Sequence, residues 1–92
     1  MLLSDFLILT TELDPKLKVY LTLDKHTTVA LGAIETTQKK VILKPAKSPF
    51  TLADLHKRLI TVAKNVSVYT KVDDDLRLIF GVKIDFPRLL LK

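Results

Sequence analysis

Ninety-two residues, 48% of them apolar and 27% charged, describe a globular chain with a modest core rather than a disordered one. The absence of cysteine excludes disulfides, thiolate nucleophiles and Cys-based zinc sites, and it fits a reducing, cytoplasmic setting. The net charge of +5 is uneven: residues 1–35 carry −2 (three Lys against five acids), residues 36–71 carry +7 (eight basic residues against Asp54), and residues 72–92 hold four of each sign.

The opening MLLSDFLILTTEL has no basic segment and holds Asp5 inside its apolar run, unlike a secretory signal, and no run reaches the roughly 18 apolar residues of a membrane span. Leu3, Phe6, Leu13 and Leu17 predict the core face of a first helix, with Pro15 at its end or in its last turn. Leu7 and Leu9 widen that stripe on both flanks, and Ile8 lies opposite it. A helix apolar nearly all round calls for burial on a second side. Three short strands are predicted next: Val19, Leu21 and Leu23 alternating with Tyr20 and Thr22; Val29, Leu31 and Ala33; and Val41 and Leu43, ended by Pro45. Thr51 and Asp54 approximate a capping box before a second helix, whose core face is Leu52, Leu55, Leu59, Val62, Ala63 and Val66, with Asp54 and Arg58 spaced i, i+4 on its outer side. Three more strands are predicted at Val68–Val72, at Leu78, Phe80 and Val82, and at Leu89 and Leu91, with Pro87 opening the last at a sheet edge. Connections of three to six residues favour antiparallel meanders.

These elements repeat. At an offset of 49 positions Leu3 meets Leu52, Asp5 meets Asp54, Val19 meets Val68, Tyr20 meets Tyr69, Asp24 meets Asp73 and Gly32 meets Gly81. These are six identities within positions 3–32, where unrelated stretches would share roughly two. The expected fold is therefore α+β: a single domain, 1–92, of two tandem helix–strand–strand–strand units from an internal duplication, sub-repeats 1–45 and 50–92 with linker 45–50, related by a pseudo-twofold. With Asp24 facing Thr28, Tyr20 would lie across from Gly32, and Tyr69 across from Gly81, each tyrosine covering a glycine. The unit L-x-D-[FL], an apolar helix, V-Y-x-x-[LV]-D and a meander resembles small uncharacterised proteins encoded by prophages and mobile elements of Gram-positive bacteria, over each copy from its helix to its second strand. The resemblance implies an accessory protein of an intracellular bacterial or phage setting, and it brings no catalytic residues.

Little in the chain suggests chemistry. Asp73, Asp74 and Asp75 read as a hairpin turn: adjacent side chains diverge on an extended chain, and copy one has Asp24-Lys25-His26 there. His26 and His56 have no Cys, His or acid at ligand spacing, Ser4, Ser48 and Ser67 lack a nucleophile-elbow context, and two glycines cannot build a phosphate-cradling loop. No enzyme activity, cofactor, metal, membrane or small-molecule substrate is expected. Two partner classes remain. The first is a protein, including a second copy of this chain, met through Leu7, Ile8, Leu9, the outward tyrosines Tyr20 and Tyr69, and exposed strand edges. The alternative is nucleic acid, met through Lys39, Lys40, Lys44, Lys47, Lys57 and Lys64 within the basic stretch 36–71. Against the latter stand only three arginines and no aromatic residue interleaved with the lysines.

Overall fold

The computed structural model describes residues 1–24 and 27–92. It is a mixed α+β fold: helix α1 (Leu3–Thr10), strands β1 (Lys18–Thr22), β2 (Thr28–Thr36) and β3 (Lys40–Pro45), helix α2 (Leu52–Leu59), and strands β4 (Ser67–Val72), β5 (Asp75–Leu78), β6 (Val82–Asp85) and β7 (Arg88–Leu91). The strands form one sheet in the order β5-β4-β3-β2-β1-β7-β6. Its two end strands, β5 and β6, are separated in the chain by residues 79–81 alone, so the sheet must curl until its ends meet. Backbone bonds carry both flanking ladders up to this junction: Ile79 N–H donates to the Val68 carbonyl (3.1 Å) beyond β5, and Phe80 N–H to Lys92 (2.8 Å) and Lys92 N–H to Gly81 (3.0 Å) ahead of β6.

The curl gives the sheet an inside. Val19 and Leu21 on β1, Leu31 on β2, Val41 and Leu43 on β3, Val68 on β4 and Leu89 and Leu91 on β7 are all buried, as period-two alternation demands. They form one cluster with Leu3 and Phe6 of α1, Leu52, Leu55 and Leu59 of α2, and Leu17, Val66 and Ile79.

The pairing differs from the expected meanders. β1–β2, β2–β3, β4–β5 and β6–β7 are antiparallel, but the two halves join through parallel pairs, β1 on β7 and β3 on β4. Val19 lies beside Leu89 in the first and Val41 beside Val68 in the second. β7 is therefore interior, and Pro87 does not open an edge strand. The strand expected through Leu78, Phe80 and Val82 is broken into β5 and β6. Ile79 is its buried residue, while Phe80 is 80% exposed. The expected tyrosine–glycine register is also corrected: Tyr20 faces Ala30 and Tyr69 faces Leu78. Glycine has another use here. β2 shifts register between Leu31 and Ala33 as it leaves β1 for β3, and Gly32 sits at that bulge against Ala46 and Ser48.

Both helices stop earlier than their apolar stripes suggested. α1 ends at Thr10, where Leu13 N–H returns to the Thr10 carbonyl (3.2 Å), and α2 ends at Leu59, where Val62 N–H returns to Leu59 (3.1 Å). Leu13 and Val62 still pack on the core from these turns, but Ala63 is exposed. Each helix begins on the other half of the chain. Leu3 N–H donates to Val66 (2.8 Å) and Ser4 N–H to Lys64 (3.1 Å), while Leu52 N–H donates to Leu17 (2.8 Å) and Ala53 N–H to Pro15 (3.0 Å). Val68 N–H reaches the Met1 carbonyl and Val19 N–H that of Phe50, both at 2.9 Å. Helix-start donors that would otherwise need water are thus satisfied by backbone. α2 adds the expected side-chain cap, Thr51 Oγ1 accepting from Asp54 N–H at 3.2 Å, whereas Leu2 gives α1 none.

Candidate interaction surface

An eight-residue helix is marginal on its own, so α1 is held by what it buries. Leu3, Phe6 and Thr10 face inward and Leu7 is half-buried against the core. The other side is left bare: Ile8 is 76% exposed and Leu9 46%, flanked by exposed Asp5 and Glu12. Of the three expected contact residues, Ile8 and Leu9 are open to a partner and Leu7 is largely committed to the core. The positions 49 residues on carry polar groups, His56, Lys57 and Arg58, and Arg58 lays its guanidinium over the Phe50 ring (4.6 Å to the centroid) rather than pairing with Asp54.

His56 joins the two helices. Its Nε2 lies 2.7 Å from Thr10 Oγ1, and that hydroxyl donates to the Phe6 carbonyl at 2.8 Å. Thr10 Oγ1 must then accept from Nε2–H, which fixes the tautomer. Partial burial holds the imidazole below its ordinary pKa. The unfolded chain binds the proton more readily than the folded one, so this group's contribution to stability is full above the unfolded value of about 6.5 and is lost as pH falls from there through the lower folded pKa. We expect His56→Leu to flatten the pH dependence of the urea midpoint between about pH 5 and 7. An unchanged slope would contradict this role. His26, the other histidine, lies outside the described residues.

Tyr20 and Tyr69 lie on the outer face of the sheet, half-buried. The Arg88 guanidinium sits over Tyr20 (5.5 Å) and Lys40 Nζ over Tyr69 (5.3 Å), each cation coming from the parallel neighbour strand. Residues 40 and 69 are far apart in sequence, so this aromatic–cation pairing is not visible there. The lysines proposed for nucleic acid are dispersed in their duties. Lys44 pairs with Glu35 (2.6 Å) and holds that carboxyl below its usual pKa. Lys64 lies beyond the end of α2 rather than on its side with Lys57, and its Nζ folds back on the carbonyls of Leu59, Ile60 and Val62 (3.3, 2.9 and 3.2 Å). Lys39, Lys47 and Lys57 are exposed.

Asp73 and Asp74 make the two-residue turn between β4 and β5, with Asp73 in the left-handed region (φ 54°) that aspartate tolerates. Beside it runs a groove of about 550 Å³ lined by Thr22, Thr70, Asp75 and Arg77. Arg77 spans it, bonding Asp75 (2.6 Å) and the Leu23 carbonyl (3.1 Å). Thr22 Oγ1 is buried there with no partner among the described residues. No three metal-ligating side chains converge among the described residues, and no helix among them is long and apolar enough to cross a membrane.

Sequence reasoning missed several exposed apolar residues, chiefly Phe80 (80%), Phe86 (74%) and Ile60 (70%). Phe80 fitted an alternating strand pattern one residue out of step. Ile60 had a signal available: it follows Leu59 directly, about 100° round the helix from that core position. No family model matches the chain, and no curated protein or solved structure matches it either.

Proposed function

We propose that this chain is a small non-catalytic protein-interaction module acting through the outer face of α1. The observation that carries this reading is Ile8, 76% exposed beside half-exposed Leu9 on a helix whose opposite side is fully buried. Single exposed aliphatic residues are ordinary, but Ile8 and Leu9 are adjacent on one helix flank, and further large apolar side chains are exposed at Ile60, Phe80 and Phe86. Burying Ile8 in a partner would recover roughly 1.5–3 kcal/mol. The engagement of Lys40, Lys44 and Lys64 within the chain favours a protein partner over the nucleic-acid alternative.

The test is affinity capture with wild-type and Ile8→Glu baits, half of each sample nuclease-treated. A partner retained through nuclease and lost with Ile8→Glu, while the variant keeps its denaturation midpoint, is the expected result. Capture abolished by nuclease would instead favour Lys39, Lys47 and Lys57 on nucleic acid.

We further infer that the fold is one domain built by internal duplication, with sub-repeats 1–45 and 50–92 about a pseudo-twofold. What supports this is reciprocity. The bridges Leu2–Ser67 and Lys18–Thr51 exchange under the 49-residue offset, as do the four helix-start hydrogen bonds and the Val68–Met1 and Val19–Phe50 bonds, and the parallel pairs β1–β7 and β3–β4 exchange with β3 and β7 matched at 48.

A further inference from the structure

We propose that the partner seated on α1 is a second copy of this chain, presenting α2, in a twofold dimer where each α1 lies on the partner's α2. The inference rests on α1 being an interaction surface and names its occupant. The Thr10–His56 contact at 2.7 Å brings the C-terminal end of α1 against α2, and each helix leaves its side away from the core exposed. Those faces are unlike. On α1, exposed Ile8 and Leu9 follow exposed Asp5, exposed Glu12 lies in the turn just past the helix, and the helix carries no cation. On α2, exposed Lys57 and Arg58 are followed at the helix end by exposed Ile60, with Asp54 the one acid of the helix. Wherever α1 offers aliphatic surface with acid at its margins, α2 offers cations on aliphatic stems. The same asymmetry runs through the chain, −2 over residues 1–35 against +7 over residues 36–71.

Two outward faces of one chain cannot cover each other. Two chains can. About a twofold axis the α1–α2 contact is made twice, so the assembly closes as a dimer instead of growing head to tail. The stems of Lys57 and Arg58 cover Ile8 and Leu9, Ile60 adds apolar area, and the charged heads reach Asp5 and Glu12 at the rim. Burial supplies the affinity and the charges select the pairing.

The experiment is sedimentation velocity over a concentration series. Wild type is expected to be a dimer that dissociates on dilution. Lys57→Glu with Arg58→Glu, or Asp5→Lys with Glu12→Lys, should weaken it by at least about tenfold, and all four substitutions in one chain should restore it. Because Arg58 also covers Phe50, Lys57→Glu alone serves as a second variant, and the urea midpoint of each variant controls for folding. A wild type monomeric at every concentration, or a four-fold variant no tighter than the two-fold ones, overturns the proposal. If self-pairing fails but Ile8→Glu still abolishes capture, α1 serves a different protein. If both fail, the interaction reading itself falls.

Discussion

Gly32→Ala is expected to destabilise the fold by about 2–3 kcal/mol, through overpacking at a site that cannot yield. A methyl at Gly32 would lie 2.5 Å from Ala46 Cβ and 2.5 Å from the Ser48 carbonyl oxygen. Neither neighbour is the tip of a flexible side chain. Both belong to the segment that Ala46 N–H and Phe50 N–H tie to the Ala30 and Leu31 carbonyls (3.0 and 2.7 Å). The added carbon must therefore push the linker off β2 or open the bulge where β2 changes partner. Gly81, its counterpart at the 49-residue offset, has nothing within 4 Å of an added Cβ and no positive φ. Gly81→Ala should stay within about 0.5 kcal/mol of wild type, with lost chain entropy in the unfolded state acting in its favour. Urea denaturation of both variants decides the matter. Equal costs would mean that the linker does not pack on Gly32 as described.

Phe6→Ala is expected to cost about 3–5 kcal/mol, a large share of the roughly 5–15 kcal/mol that holds a small domain folded. Phe6 is fully buried and the largest side chain in the core. It is also the main anchor of α1, a helix with no side-chain cap and only eight residues. Without that ring, α1 keeps its backbone bonds to Val66 and Lys64 but loses most of the burial that holds it against the sheet. The variant should therefore unfold at a much lower urea concentration than wild type. Ile8→Ala, two residues away on the bare side, should change the midpoint hardly at all, by about 0.5 kcal/mol or less. A cost below about 1 kcal/mol for Phe6→Ala would show that α1 is not packed in this way.

The local signals in the sequence were strong where one residue sees one environment. Leu3 and Phe6, Leu52, Leu55 and Leu59, and the alternating Val19–Leu21 and Val41–Leu43 announced the inner faces of their elements. Thr51 announced its cap and the aspartate run its turn. What failed required knowledge of who pairs with whom. The parallel seams β1–β7 and β3–β4 join residues about 27 to 70 positions apart, and no local pattern marks a parallel neighbour. Phe80 fits an alternating strand with Leu78 and Val82 in the sequence, but a single-residue slip between the hairpins buries Ile79 and turns Phe80 outward. The two glycines stand 49 positions apart in the sequence, yet only the tertiary approach of Ala46 distinguishes the packed one from the open one. The candidate surface was legible through Ile8 and Leu9, whose excess hydrophobicity has no use within α1. The complementary role of α2 was hidden, because Lys57 and Arg58 look like an ordinary solvated face until Thr10 and His56 bring the helices together.

The central claim is that the bare side of α1 is a binding surface and not merely tolerated exposure. Sedimentation velocity on wild type and Ile8→Glu, with urea midpoints measured on the same preparations, tests it most directly. The account predicts a concentration-dependent dimer for wild type, a monomer for Ile8→Glu, and midpoints that agree once dissociation of the dimer is allowed for. Identical sedimentation of the two proteins at every concentration, with partner capture also unchanged by Ile8→Glu, would contradict it.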